Sequence, residues 1–126
     1  MQRLEVAVTI RASADKVWQI ITDIRTWPEW GPSVTGVRCQ DRFIRSGSTG
    51  SVRTIFGLWL PFAIMDVVDK TYWSWRVCGI HATGHRVESL SQNRCRLVFD
   101  MPVLAAPYRV VCAIALRRIR HLAENP

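Results

Sequence analysis

The chain has little acid. Ten aspartates and glutamates stand against seventeen lysines and arginines, a formal net charge of +7 over 126 residues. Such an excess suits an anionic partner: nucleic acid, a membrane surface or an acidic ligand. The arginines are nonetheless spread along the chain. Their only cluster is Arg117, Arg118, Arg120 and His121, where cations complement a helix C-terminus and need no partner. No aromatic–basic RNA-binding motif goes with it, so nucleic acid is not an expected partner. Long apolar runs are missing as well. The best candidate, 103–116, is shorter than the roughly 20 residues of a membrane span and is interrupted by Pro107 and Arg109. Transient contact with a membrane surface stays open; a transmembrane helix does not. The first residues read as a strand containing Arg3 and Glu5 rather than a signal peptide, so the expected location is the cytoplasm.

Cysteine is sparse and unpaired in pattern. Cys39, Cys78, Cys95 and Cys112 form no CxxC, which excludes zinc-finger and thioredoxin readings. They read as small core residues, and a disulfide framework is not expected. The sequence has no GxSxG, Walker loop, GxGxxG or HExxH, and no cysteine has a histidine placed by motif to activate it. No cofactor and no metal are called for. There is no internal repeat, low-complexity segment or linker, and the length suits one domain over 1–126.

What is present begins with alternation. Leu4, Val6, Val8 and Ile10 interleave with polar or small residues, which is a half-buried strand. Ser13 then offers a helix N-cap with Asp15 in the first turn. Val17, Trp18, Ile21 and Ile24 fall on one helical face. Pro28 is expected to stop this helix, because a proline biases the residue before it, Trp27, away from helical angles. Gly31-Pro32 makes a second break. Short strands follow at 34–42, 51–56, 59–68, 72–78, 80–90 and 95–101, punctuated by turns at 46–50, 69–71 and 91–93. Pro61 implies an edge strand or a bulge near the start of 59–68. The segment 105–124 is the longest helical pattern, with Tyr108, Val111, Cys112, Ala115, Ile119 and Leu122 on one face. Strands joined by tight turns imply an antiparallel sheet, and the last helix is the element long enough to cover it.

The stretch SADKVWQIITDIRTWPEWGPSV at 13–34 carries a family resemblance. With the preceding strand, the MDVVD at 65–69 running into Trp73-Ser74-Trp75, and His85-Arg86-Val87, it resembles the START-like (SRPBCC) superfamily. Within that superfamily it is similar to the polyketide cyclase/dehydratase and lipid-transport branch, which shares the birch-pollen-allergen-like fold. The resemblance covers essentially the whole chain. It implies an α+β helix-grip fold: a curved antiparallel seven-stranded sheet around a long C-terminal helix, with two short helices after strand 1. It also implies a cavity between sheet and helix that in relatives takes lipids, sterols, quinones, hormones or polyketides.

The candidate site residues follow from that cavity. Aromatic rings with few polar groups suit its wall. Six tryptophans is a high count for this length. The expected ligand-binding set is Trp30, Phe56, Met65, Trp75, His85, Val87, Phe99, Tyr108 and Cys112. Trp18 reads as core, and Trp59 beside Pro61 as an exposed residue at the mouth. His85 is the candidate catalytic residue, since an imidazole in an apolar cavity can serve as general acid or base. The competing reading is a hydrogen-bonded strand histidine. His81 shares its strand face, but with Asp66 it fixes no third ligand for a metal. Arg53, Arg76, Arg86 and Asp66 either approach the cavity, where an arginine would clamp an anionic head group, or lie on the outer face, which alternation favours for Arg76. The expected function is binding, and in one version transport, of a small hydrophobic or amphipathic ligand. The alternative is a cyclase or dehydratase using His85 with Tyr72, Tyr108 or Asp66. The protein is expected to be a monomer or homodimer.

Overall fold

A computed structural model describes residues 3–125. Seven strands form one antiparallel sheet in the order β1-β7-β6-β5-β4-β3-β2. They are β1 (Arg3–Ile10), β2 (Val34–Cys39), β3 (Thr49–Thr54), β4 (Trp59–Val68), β5 (Tyr72–Val77), β6 (Ile80–Ser91) and β7 (Arg94–Pro102). The helices are α1 (Ala14–Thr22), α2 (Trp27–Trp30) and α3 (Arg109–Glu124), with 3-10 turns at Ile24–Thr26 and Val103–Tyr108. This is the α+β helix-grip arrangement that the resemblance implies.

Local chemistry explains the boundaries. Ser13 accepts a hydrogen bond from the Lys16 N–H at 3.2 Å and starts α1. Asp23, in extended conformation, ends it and caps the following 3-10 turn through the Arg25 N–H. The helix therefore stops well before Pro28. Trp27 is helical (φ −54°, ψ −44°), and Pro28 sits in the first turn of α2, where its missing N–H would have had no partner anyway. Pro61 also differs from expectation, because β4 lies between β3 and β5 and is not an edge. The Pro61 carbonyl accepts from the Cys78 N–H in the β5–β6 turn. The missing proline donor thus falls at the end of that ladder. The β4 bulge lies further on, between Ile64 and Val67.

Register shifts in the pairings of β2, β4, β5 and β6 add local bend and twist to the sheet. The inner face buries Ile64, Phe62, Leu97 and Met101. α3 packs on β1, β7, α1 and α2 through Cys112, Ala115, Leu116, Ile119 and Ala123, a helical stripe of mostly small residues. Cys95 and Cys112 are buried, as small core residues should be, but Cys78 is exposed in a turn at φ 54°.

One glycine is required by close approach. A Cβ on Gly50 would collide with the Arg38 carbonyl of the neighbouring strand and come within 2.9 Å of the Phe62 ring. Backbone of a paired strand cannot retreat, so Gly50→Ala is expected to lose about 3 kcal/mol, the upper end for overpacking. A shift of the urea midpoint checks this, and a midpoint unchanged from wild type would refute it.

Candidate active or ligand-binding site

The site is one cross-strand rung with helices closing over it. Trp73 on β5, His85 on β6 and Phe99 on β7 are direct register partners, so their side chains rise from one face in a row. The Trp73 and His85 rings stack at 3.8 Å and 24°, and Phe99 meets His85 edge-on at 4.6 Å. Trp75 and Thr83 share the face two residues away on their strands. From above, α2 lowers Trp27 and Trp30, which at i and i+3 point the same way. Trp27 stacks parallel on Trp73 at 5.5 Å, and Trp30 meets Phe99 at 6.0 Å. Tyr108, Cys112 and Ala115 close the α3 side.

The remaining space is about 40 Å³. That holds about three water molecules. Across its entrance the hydroxyls of Ser33 and Tyr108 lie 2.7 Å apart, joining the α2–β2 link to the end of the 3-10 segment before α3. Burial raises the Tyr108 phenol above its ordinary range, so it stays protonated and able to donate this bond.

Polar groups of Trp73, His85, Thr83 and Trp75 form one chain along the wall. The Trp73 carbonyl can only accept, so the His85 Nδ1 at 3.2 Å carries the proton. Its Nε2 then accepts from the Thr83 hydroxyl at 2.9 Å, and the Thr83 oxygen accepts from Trp75 Nε1 at 3.0 Å. Burial drives the imidazole pKa down to about 3, opposed only in part by the bond to the Trp73 carbonyl. His85 is therefore neutral at physiological pH, with both ring nitrogens engaged. Trp27 and Trp30 donate to the Ile21 carbonyl and the Thr26 hydroxyl. The Trp73 indole N–H is buried with no acceptor among the described residues. Burial also holds the Cys112 thiol up at about 11, which keeps it from acting as a thiolate.

Of the residues expected from sequence, Trp30, Trp75, His85, Phe99, Tyr108 and Cys112 line this space. Three lie outside it. Phe56 is 84% exposed at the β3–β4 turn, because β3 ends two residues before it, at Thr54. Met65 enters the β4 bulge, which removes it from the cavity row. Val87 is buried in the core two residues beyond His85, past the lining. Trp59, the first residue of β4, is exposed under the Arg38 guanidinium at 3.9 Å, cross-strand from Arg53, and does not line the space. Trp18 is half-buried against the core.

The charged candidates all stay out of the cavity. Arg53, Arg76 and Asp66 are exposed, and Arg86 pairs with Glu5 and Glu88 at 3.2 and 3.0 Å. His81 is exposed, and among the described residues no three of His, Cys, Asp and Glu come together to hold a metal. Tyr72, whose register partner Arg86 adjoins His85, and Asp66 do not line the space, leaving Tyr108 at the entrance as the only named partner in the lining. Trp27, Trp73, Thr83 and Ser33 belong to the site but were not in the expected set. Thr83 was within reach of the alternation that points His85 inward.

A profile of the polyketide cyclase / dehydrase and lipid transport family matches residues 1–121. The chain belongs to this family. No curated protein matches it. Among solved structures it is similar to XoxI from Bacillus cereus, with TM-score 0.77 and 13% identity over 99% of this chain and 97% of that one. It is also similar to the Zhui aromatase/cyclase from Streptomyces sp. R1128, with TM-score 0.74 and 16% identity over 98% and 93%. The Aha1 dimer from Colwellia psychrerythraea gives TM-score 0.74 and 16% identity over 99% and 98%. At such identities the likeness shows a shared fold, and fold alone does not carry activity. Among the described residues no helix is long and apolar enough to cross a membrane.

Proposed function

We propose that this domain, spanning 1–126, binds a small hydrophobic or amphipathic molecule between α3 and the Trp73–His85–Phe99 rung. The observation that carries the reading is an aromatic wall holding one buried, unsatisfied donor, the Trp73 N–H. An orphaned buried donor costs on the order of 1–3 kcal/mol, which a ligand oxygen would recover. The Thr83 oxygen, with one lone pair still open, would take a ligand hydroxyl. A ring bearing a carbonyl or hydroxyl, quinone- or polyketide-like, meets both. Contacts would come from Trp30, Trp75, His85, Phe99, Tyr108 and Cys112.

The present space is too small for such a ring, so entry requires the mouth to open. The 3-10 segment Val103–Tyr108 is suited to move: it contains no buried residue, a non-helical Ala105 and Pro107. The cyclase or dehydratase alternative finds less support, because His85 would have to gain a proton at about pH 3 and give up Thr83. The four free thiols fit a reducing compartment, and this reading keeps the protein in the cytoplasm as a monomer or homodimer.

The test is titration with 2-naphthol followed by tryptophan fluorescence, beside native mass spectrometry of the protein purified from its host. Saturable one-to-one quenching is expected, and Tyr108→Phe, which unties the Ser33 bond, should speed association about threefold to tenfold. Absence of saturation in both proteins, together with a clean apo mass, would sink the reading.

A further inference from the structure

The antiparallel order puts the starts of β2, β4 and β6 and the ends of β3, β5 and β7 at one end of the sheet. Three connections therefore converge there: the β3–β4 turn, the β5–β6 turn and the 3-10 segment entering α3. The Ser33–Tyr108 bond, across the cavity entrance, lies at this same end, at the start of β2 and the end of the 3-10 segment. Each connection carries bare apolar side chains. Phe56 is 84% exposed, Ile80 71% and Leu104 93%, with Ile55, Leu58 and Val110 also exposed. Large side chains this exposed project outward; they do not line a groove.

The charge around them has one sign. Residues 55–58, 78–81 and 103–110 contain no aspartate or glutamate. Arg53, Arg76 and Arg109 flank the three connections, are exposed, and make no ion pair among the described residues. Glu5 and Asp100, two residues in from their strand ends, are taken up by Arg86 and Arg3. The far strand and helix termini carry acid as well as base: Asp15, Asp41 and Glu124 pair there with Lys70, Arg45 and Arg11, and Asp69 adjoins Lys70.

We propose that this end is a docking surface for an anionic lipid bilayer, with Phe56, Ile80 and Leu104 entering the acyl boundary and Arg53, Arg76 and Arg109 at headgroup level. Apolar tips with a cationic collar are what an interfacial site needs: burial holds the protein, and phosphates draw it in. A protein partner would call for a packed patch with a polar rim, whereas these side chains stand on three separate turns. Docking here would turn the mouth toward the membrane. Only that last consequence, uptake of a ligand from the bilayer, rests on the ligand-binding reading.

Co-sedimentation with vesicles tests the surface without any cavity ligand. The vesicles are pure phosphatidylcholine, or phosphatidylcholine with about a quarter phosphatidylglycerol. The wild-type protein should pellet with the anionic vesicles and not with the neutral ones. Phe56→Asp, Leu104→Asp and the triple Arg53→Gln/Arg76→Gln/Arg109→Gln should each weaken binding about tenfold. Leu90→Asp, exposed at the opposite end, should leave binding unchanged. Circular dichroism and unfolding midpoints confirm that the variants fold. Failure to pellet, or binding indifferent to Phe56→Asp and Leu104→Asp, overturns the proposal. So does self-association lost in Leu104→Asp without vesicle binding, which would make the occupant a second copy. A negative 2-naphthol titration with positive pelleting would remove the ligand reading and leave the docking surface standing.

Discussion

Trp27→Ala is expected to cost about 4 kcal/mol of folding stability. Trp27 is 2% exposed and ties the short α2 turn to the sheet. Its ring stacks parallel on Trp73, meets Trp75 edge-on at 5.4 Å and tilts against Phe62 at 5.6 Å. Its N–H donates to the Ile21 carbonyl at 3.0 Å, so truncation also strands a buried acceptor. Trp27→Phe separates these contributions, because it keeps ring packing, loses the hydrogen bond, and should cost about 1–2 kcal/mol. Trp59→Ala is the control. Trp59 touches the solvent face and an arginine, and removing it should cost under about 1 kcal/mol. Urea unfolding of the three variants decides the matter. A Trp27→Ala loss below that of Trp59→Ala would mean that the aromatic stack does not carry the helix-to-sheet contact. Truncation also enlarges the existing space beside Trp73. A simple arene should then raise the melting temperature of Trp27→Ala more than that of wild type.

Much of this architecture was legible because local signals and global fold agree. Alternation placed β1, the serine before the first helix is its cap, and the bounds of β4 follow directly from its run. Prolines were the hardest to read. The rule that the residue before proline avoids helix is a bias of order one clash, and the stack on Trp73 outweighs it at Trp27. Pro61 escapes the ban on interior prolines because its vacant donor falls at a ladder end, a fact set by where β5 stops. The site was legible in part for a related reason. Alternation holds within one strand, but the β4 bulge shifts it at Met65, and the end of β3 leaves Phe56 in a turn. Register between strands is a tertiary property. It makes Trp73, His85 and Phe99 one rung, and no spacing along the chain announces that. The four tryptophans that converge therefore look no different in sequence from Trp18 and Trp59.

Acidification should unfold this protein through His85 before the carboxylates matter. An unfolded histidine takes up a proton near pH 6.5, whereas in the fold burial holds the imidazole down at about 3. Above 6.5 both states are neutral and His85 contributes no pH dependence. Below it the unfolded chain binds a proton that the folded one refuses, so stability falls as pH drops, until about pH 3. The slope is about 1.4 kcal/mol per pH unit, so the step from pH 6.5 to 5 should remove about 2 kcal/mol. Glu88 and Glu124 act in the same direction but lower down. The hydrogen bonds from Arg86 to Glu88, and from the Arg11 backbone to Glu124, hold both carboxyls below their ordinary value, so their contribution is lost only as pH falls under about 5. The window from 5 to 6.5 therefore isolates the histidine. Urea unfolding across it should give a steep dependence in wild type and a nearly flat one in His85→Gln, whatever the variant's absolute stability. Parallel curves would place a proton on His85 in the folded state. They would break the Trp75–Thr83–His85–Trp73 chain as drawn, since Nε2 could no longer accept, and would restore the imidazole as an acid for chemistry in the cavity.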